Sequence, residues 1–274
     1  MDDIATFNRA RWNDLAEARA IFTRPWLELT AERARTLLDP HKLLGSVRDR
    51  DVLCLGSGGG QQAVAFALLG ARVTSIDISS AQVARDVETA QHYGVTISAV
   101  EGDMRDLSRL DVDSFDVVHH AYSINFVPDP TVVFEGVARV LRPRGCYQLF
   151  FANPFSLGLT RSDWVGNGYT IRHPYVQGNE VRSENPAWFF RDESPTSLID
   201  GPIEYCHTLS TIVNGLASCQ LSLVRLTEVC FGDPDLSAEP GTREHLSAFV
   251  PRWLDLSAIY LPDVLHGAAD DVTG

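Results

Sequence analysis

The chain has 274 residues, of which 45% are hydrophobic and 22% charged, and its formal net charge is −13 at pH 7. This composition is typical of a globular protein that is long enough to bury one sizeable core. The acidic balance argues against nucleic acid or an anionic membrane as a partner, because phosphate groups are bound by clustered Lys and Arg side chains.

Other sequence features indicate whether the protein spans a membrane, in which compartment it is found and whether it binds a metal. There is no apolar run of about eighteen residues and no signal segment at the start, so we expect neither a membrane span nor secretion. The five cysteines form no Cys-x-x-Cys pair, which argues against a disulfide framework and a structural zinc site. We therefore expect a cytoplasmic protein with reduced, buried thiols. The histidines and carboxylates show no ligand spacing, so no metal is expected.

The chain begins with a predicted N-terminal helical cap over residues 1–45, in which apolar residues recur at helical spacing until Pro40. Short apolar runs then alternate with amphipathic stretches over 46–152. Strands are predicted near 51–55, 71–76, 95–100, 115–119 and 144–151, with helices near 61–69, 79–93 and 129–141. This alternation predicts a doubly wound α/β core, with helices on both faces of a parallel sheet.

The alternation stops at residue 153. Residues 153–200 are rich in Gly, Pro, Asn and aromatic residues and are too long for an ordinary connection. We expect them to form an inserted cap over a substrate pocket. Residues 201–232 predict a closing strand, helix and strand of the core, whereas the sequence does not place the C-terminal segment 233–274.

Within the core, residues 51–62 read DVLCLGSGGGQQ, a buried strand that turns through glycines into a helix. Bare backbone lets a ligand approach closely, and a helix N-terminus offers unpaired N–H groups to a carboxylate or phosphate. Gly58, Gly60 and Ala63 also fit a loose dinucleotide fingerprint, so a nicotinamide cofactor is one candidate. Asp77 ends the next strand, where a carboxylate can accept both hydroxyls of a ribose in either type of cofactor.

A third motif, EGDM, places Asp103 just past the third strand, where it could accept an adenine amino proton. The motifs VLCLGSGGG, VTSIDIS, EGDM, FDVVHH and RVLRPRG follow one another at the spacing of the class I S-adenosylmethionine-dependent methyltransferases, which residues 45–151 closely resemble. The resemblance implies S-adenosylmethionine as cofactor. It also implies a Rossmann-like, mainly parallel seven-stranded sheet whose last strand runs antiparallel.

Carried over residue by residue, the resemblance implies a cofactor site made of Gly56, Ser57, Gly58 and Gln62 at the methionine part, Asp77 at the ribose, Ile78, Gln82, Asp103 and Met104 at the adenine, and His119 at the tip of the fourth strand. The chain departs from the family at Cys54, where Asp or Glu usually helps to order the loop and the cofactor's ammonium group. A neutral thiol cannot do this. Another group must therefore do so, or that end of the cofactor sits differently.

Methyl transfer from a sulfonium is an in-line displacement, so the protein mainly aligns the reacting atoms and excludes water. A base is needed only where the acceptor must lose a proton. Candidates for the transfer centre are His119, Tyr122 and Asn125 after the fourth strand, and His173 and Tyr175 in the inserted cap. His119 and His120 should point to opposite faces of the sheet, because successive strand residues alternate.

HHAY follows the fourth strand, where methylases of nucleobases or glutamine side chains carry an Asp/Asn-Pro-Pro-aromatic tetrad. Its absence, with the expected closed pocket, favours methyl transfer to oxygen or nitrogen of a small metabolite or natural product. Because Cys54 concerns the methionine end, one alternative is aminocarboxypropyl transfer, or cyclisation of the cofactor with release of methylthioadenosine. Further alternatives are a nicotinamide oxidoreductase and a non-catalytic binding protein. No sequence feature identifies the acceptor or sets the oligomeric state.

Overall fold

The computed structural model of the chain describes residues 2–182, 200–230 and 232–262. The helices are α1 (Asp3–Glu17), α2 (Ala31–Leu38), α3 (Gln62–Leu68), α4 (Ser80–Tyr93), α5 (Thr131–Val140), α6 (Leu209–Ser218) and α7 (Arg243–Ser247). The strands are β1 (Asp51–Leu55), β2 (Arg72–Asp77), β3 (Ile97–Glu101), β4 (Phe115–His120), β5 (Leu141–Ala152), β6 (Asn179–Val181), β7 (Glu204–Cys206), β8 (Leu221–Val229) and β9 (Trp253–Tyr260).

Seven strands form one sheet in the order β3-β2-β1-β4-β5-β9-β8. Strands β1 to β5 pair in parallel, and β9 runs antiparallel to both of its neighbours. The predicted fold class is therefore confirmed, as is the antiparallel direction of the last strand. Chain order reverses between β1 and β4, so a crevice opens at the carboxyl ends of these strands, where open α/β sheets bind ligands.

The sheet separates two hydrophobic cores, and β1 contributes to both. Leu53 and Leu55 pack into the core on the side of α5 and α6. Val52 and Cys54 pack into the core on the side of α2 and α3. This alternation is the side-chain period of two that a strand imposes, and burial on both faces explains why the strand sequences are almost continuously apolar.

Helix α4 shows how local chemistry fixes an element's ends. The Ser79 hydroxyl accepts a hydrogen bond from the backbone N–H of Gln82, which caps the first turn. Gly94 ends the helix in the left-handed conformation, at a φ of 64°. The helix therefore starts at Ser80, close behind Asp77 at the end of β2.

The closing part of the sheet differs from the prediction for residues 201–232. That segment supplies α6 and β8, but its first strand, Glu204–Cys206, pairs with Asn179–Val181 in a separate two-stranded sheet. The strand that completes the main sheet is Trp253–Tyr260, within the segment that the sequence did not place. An antiparallel neighbour is expected directly after its partner strand, whereas here α7 intervenes and hides the relation.

The N-terminal segment carries the predicted helices α1 and α2. Asn8 on α1 is only 3% exposed, and its amide NH₂ donates to the carbonyls of Phe126 and Ile203 while its oxygen accepts from the Ile203 N–H. One side chain thus joins α1 to the loop after β4 and to the segment entering β7.

Two parts of the chain lie outside the described residues. They are residues 183–199 of the predicted inserted cap and residues 263–274 at the end of the C-terminal segment.

None of the described helices combines the length and the apolar character that crossing a bilayer requires.

Candidate functional site

The glycine turn after β1 is shaped for close backbone approach. Gly56, Gly58, Gly59 and Gly60 all have positive φ, between 60° and 82°, a region that L side chains rarely adopt. A Cβ on Gly56 would clash with the Ser123 hydroxyl. A Cβ on Gly60 would clash with Thr89 on α4. The turn therefore needs glycine for its backbone conformation and for the room it leaves.

Asp77 holds this turn from the end of β2. Its Oδ2 accepts a hydrogen bond from the Gly58 N–H at 3.2 Å, and its Oδ1 accepts one from the Ser79 N–H at 2.9 Å. Burial raises the pKa of Asp77 to about 7, the two backbone hydrogen bonds oppose that rise, and the charge of Asp86 adds to it. The predicted ribose acceptor therefore lies against the predicted cofactor turn.

Asp86 on α4 holds the same turn from below and is a residue that sequence reasoning missed. It is fully buried, and it accepts hydrogen bonds from Ser57 Oγ at 2.6 Å, Ser75 Oγ at 2.7 Å and the Gly60 N–H at 2.5 Å. Burial raises the pKa of Asp86, and these bonds oppose the rise. The signal in the sequence was an acid in line with Gln82 and Thr89 on the buried face of α4.

Cys54, the position that departs from the family, lies in the buried part of β1 beside this acid. Burial raises the pKa of its thiol well above the usual value, and the charge of Asp86 adds to the effect. The thiol is therefore neutral near pH 7, which agrees with the expectation of a reduced, buried cysteine and excludes a thiolate nucleophile.

The segment between α1 and α2 covers the turn from the other side. The Gln61 side-chain NH₂ donates to the carbonyls of Phe22 and Arg24, each at 2.9 Å. The Trp26 N–H donates to the Gly60 carbonyl at 3.0 Å, and the Arg85 guanidinium binds Thr23. The predicted N-terminal cap thus closes over the end of the crevice where the resemblance places the methionine part of the cofactor.

Two predicted cofactor residues carry buried acceptors that are unpaired among the described residues. These atoms are Oε1 of Gln62 and Oε1 of Gln82. Leaving a buried acceptor unpaired costs about 1–3 kcal/mol. A ligand that brings an ammonium group and an amino group to this crevice has the donors that these oxygens require, so the residues present fit an adenosyl amino acid.

At the predicted adenine end, Met104 lies beside Gly56. Asp103 differs from the expectation of a free acceptor. Its carboxylate accepts hydrogen bonds from Nε and Nη2 of Arg105, the latter at 2.6 Å, and Arg105 continues to Asp2 at 2.7 Å. An adenine amino group could reach Asp103 only by sharing oxygens that Arg105 already binds. Ile78 lies partly buried between β2 and α4.

His119 and His120 face opposite sides of the sheet, as predicted. His119 Nδ1 lies 3.0 Å from Gln148 Oε1, and Gln148 in turn donates to the Leu38 carbonyl, which fixes the amide so that its oxygen faces the imidazole. His119 therefore carries its proton on Nδ1, and burial lowers its pKa. His120 is fully buried against Tyr147, where burial lowers its pKa to about 3. Both rings are neutral, and His120 belongs to the core.

The loop after β4 carries a hydrogen-bonded pair of ionisable groups. The Tyr122 hydroxyl donates to Glu204 Oε1 at 2.6 Å. Glu204 is 8% exposed, and burial raises its pKa to about 7 against the opposing effects of Tyr122 and Arg252. Sequence reasoning found Tyr122 but missed Glu204, because a lone acid in the apolar run PIEYC carries no motif.

Asn125 lies next to this pair, but both ends of its amide are bound by backbone. Its NH₂ donates to the Tyr205 carbonyl at 3.1 Å, and its oxygen accepts from the Ala152 N–H at 2.9 Å. These bonds fasten the loop after β4 to β5 and β7. The geometry therefore indicates a structural role for Asn125 rather than the predicted place at the transfer centre.

The two predicted cap residues contact other parts of the described chain. Tyr175 is 43% exposed, stacks on Phe155 with ring centroids 5.0 Å apart, and accepts a hydrogen bond from the Leu209 N–H at the start of α6. His173 packs against Gly158 within the insert. The described structure does not bring either side chain to the glycine turn.

Among the described residues, no group of three or more His, Cys, Asp or Glu side chains is arranged to hold a metal ion.

Comparison with known proteins shows that part of the chain is similar to methyltransferases. Residues 53–149 match a family model described as a methyltransferase domain. The chain is 41% identical over 108 residues to the uncharacterized methyltransferase YbaJ of Bacillus subtilis, which covers 39% of this chain and 42% of that protein. It is 37% identical over 122 residues to a ubiquinone biosynthesis O-methyltransferase of Xanthomonas oryzae, which covers 42% of this chain and 49% of that protein. The chain thus spans less than half the length of either relative.

Two solved structures share the fold over most of the chain. An S-adenosylmethionine-dependent methyltransferase from Mesorhizobium loti covers 85% of this chain and 100% of its own, with a TM-score of 0.59 and 21% identity. Magnesium protoporphyrin IX methyltransferase from Synechocystis, with bound SAH, covers 94% and 99%, with a TM-score of 0.59 and 16% identity. At these identities the likeness is one of fold.

Proposed function

We propose that this chain, whose residues 53–149 match a methyltransferase-domain family model, is a class I enzyme that binds S-adenosylmethionine and transfers its methyl group to an oxygen or nitrogen atom of a small molecule. The observation that carries the proposal is Asp77, a buried carboxylate at the end of β2 that already contacts the Gly58 N–H. That carboxylate and the glycine turn match the ribose and the amino-acid tail of one adenosyl ligand.

The residues that would hold this ligand lie along the crevice. The glycine turn would pass beneath the amino-acid tail, and Gln62 would accept from its ammonium group. Asp77 would accept from the ribose hydroxyls through charge-assisted hydrogen bonds. Gln82 and Met104 would contact the adenine. The bound group supplies a methyl on a sulfonium, and the protein's task is to align the acceptor with it and to exclude water.

We assign the acceptor's proton to the Tyr122–Glu204 pair at the end of β4. Glu204 can accept a proton near neutral pH because burial raises its pKa to about 7, and the short bond from Tyr122 links it to the crevice. An acceptor that must lose a proton, such as a hydroxyl group, suits this arrangement. The similarity to ubiquinone biosynthesis O-methyltransferases supports an oxygen acceptor.

The chief alternative, chemistry at the aminocarboxypropyl chain, was motivated by the missing acid at Cys54. Asp86 binds the same loop from α4, so the departure at Cys54 no longer points to a rearranged methionine end. The match to a methyltransferase domain likewise favours methyl transfer over hydride transfer with a nicotinamide.

The test combines binding with product analysis. Calorimetric titration should show binding of S-adenosylhomocysteine and none of NAD. Incubation with S-adenosylmethionine and a panel of hydroxylated aromatic and aliphatic metabolites should release S-adenosylhomocysteine only when an acceptor is present. Methylthioadenosine formed without an acceptor would instead establish the alternative chemistry, and binding of NAD alone would refute the cofactor.

A further inference from the structure

The Asp86 carboxylate lies beside Cys54 on β1 and binds the glycine turn. Cys54 pairs with Ser75 in the β1–β2 register, so the two side chains lie next to each other on one face of the sheet. Asp86 reaches that face from α4 and binds Ser75 Oγ at 2.7 Å. One buried carboxylate therefore stands beside the residue at which the family's usual acid is missing.

The bonds that Asp86 accepts are those that fix the turn. The Gly60 N–H and Ser57 Oγ both belong to residues of the turn, and Ser75 belongs to the neighbouring strand. All three donors are neutral, so the carboxylate satisfies the turn without being drawn away into an ion pair. Hydrogen bonds to a charged acceptor are stronger than neutral ones, which suits an anchor for a turn with four positive-φ residues.

We infer that the acid which orders the cofactor turn has been relocated from β1 to α4, so that Asp86 is the positioning residue that takes over what Cys54 cannot do. The inference rests on the proposed function, because the turn's purpose is taken to be cofactor binding. It explains why an acid faces inward on α4. Asp86 acts through the turn and need not touch the cofactor.

The relocation predicts a reciprocal dependence between positions 54 and 86. Asp86→Ala should weaken S-adenosylhomocysteine binding by about 10- to 100-fold, since two hydrogen bonds to the turn and one to Ser75 on β2 are lost. Cys54→Asp in the presence of Asp86 should also weaken binding, because two adjacent buried carboxylates cannot both ionise. Combining the two changes should recover most of the lost affinity, because an acid on β1 then serves the turn.

The experiment is this double-mutant cycle, followed by calorimetric titration with S-adenosylhomocysteine and by thermal unfolding of each ligand-free variant. Asp86→Asn preserves the shape of the side chain and replaces the alanine variant if that one does not fold. Glu88→Gln, on the exposed face of the same helix, is the matched control and should bind as the wild type does.

Recovery of affinity in the double variant supports the relocation, because a merely structural loss at α4 would not be repaired from β1. A double variant no better than Asp86→Ala would overturn the inference. If the wild-type protein itself fails to bind S-adenosylhomocysteine, the proposed function fails. The unfolding temperatures then still decide the relocation, since an anchored turn should restore stability in the double variant and an unrelated pair should not.

Discussion

The two sides of the crevice are built in different ways. On the cofactor side, the two buried carboxylates hold the glycine turn through contacts between neighbouring strand–turn–helix units, as between Gly58 and Asp77, which are 19 positions apart. On the acceptor side, the contacts join distant segments. Tyr122 and Glu204 are 82 positions apart, and Asn8 and Ile203 are 195 positions apart.

This difference indicates how each side of the crevice should respond to substitution and to pH. The cofactor side is fixed by backbone conformation and by two buried carboxylates, and a single added carbon atom at Gly56 or Gly60 would clash with neighbouring side chains. The acceptor side depends on segments that are far apart in the sequence and meet only in the folded chain. Its ionisable pair, Tyr122 and Glu204, is joined by a hydrogen bond between side chains. We therefore expect the first side to respond to steric changes and the second to respond to protonation.

The largest effect should come from Gly60→Ala on the cofactor side. The new Cβ would clash with Thr89 and approach Pro25, and φ at this position is 82°. We expect the free energy of unfolding to fall by about 3–4 kcal/mol from strain and overpacking, with loss of measurable S-adenosylhomocysteine binding. Chemical denaturation and calorimetry measure the two effects.

Gly94→Ala is the matched control, because that glycine also has positive φ but open space around it. It should lower the free energy of unfolding by only about 1 kcal/mol and leave binding unchanged. Equal effects of the two substitutions would show that backbone conformation alone, not packing of the turn, matters.

Next in size is the pH dependence of stability that Glu204 brings to the acceptor side. Its pKa is about 7 in the folded protein and 4.5 in the unfolded chain, so the folded state keeps a proton that the unfolded chain releases. Stability should therefore fall by about 3 kcal/mol as the pH rises from 4.5 through 7. Between pH 5 and pH 8, denaturant titrations should show a loss of stability that is smaller by about 2–3 kcal/mol in Glu204→Gln than in the wild type. Asp77, whose pKa burial also raises to about 7, should contribute a further loss in both proteins. An identical loss in both proteins would contradict the assignment.

A smaller effect is expected for Asp77→Asn. Loss of the charged acceptor should weaken S-adenosylhomocysteine binding by about 1–3 kcal/mol. Because burial raises the pKa of Asp77 to about 7, the wild-type affinity should also rise between pH 6 and pH 8 as the carboxyl ionises. Calorimetry at both pH values should show this rise only in the wild type. Asp106→Asn, at an exposed position, is the control.

The smallest effect should be that of Tyr175→Phe. In the described part of the chain its hydroxyl accepts a hydrogen bond from the Leu209 N–H at the exposed start of α6. We therefore expect a change below about 0.5 kcal/mol in stability and an unchanged turnover with whichever acceptor the panel identifies. Tyr122→Phe, which removes the donor to Glu204, should lower that turnover. A large loss of turnover in Tyr175→Phe would show instead that Tyr175 acts at the transfer centre.

The cofactor side could be predicted from sequence because its determinants are local. Glycines after an apolar run, and an acid at the end of the next run, report a strand–turn–helix unit without knowledge of the rest of the fold. The same local logic predicted the ends of α4 within one residue. It did not reveal that Arg105 binds the Asp103 carboxylate, because no motif marks that pairing.

The acceptor side could not be predicted in this way. Glu204 becomes significant only because β7 leaves the main sheet and pairs with β6, next to the loop after β4. The strand Trp253–Tyr260 was not predicted for a similar reason. Its partner β5 is distant in the sequence, and α7 lies between it and its other partner, β8. Asp86 is intermediate in how well the sequence predicts it. It is close to the turn in sequence, but no motif marks it.

The most direct test of the central claim is a crystal structure of the protein with S-adenosylhomocysteine. The account predicts the ligand's amino-acid tail over the turn Gly56–Gly60 and both ribose hydroxyls within hydrogen-bonding distance of the Asp77 carboxylate. A ligand bound elsewhere, or a ribose that does not contact Asp77, would contradict it.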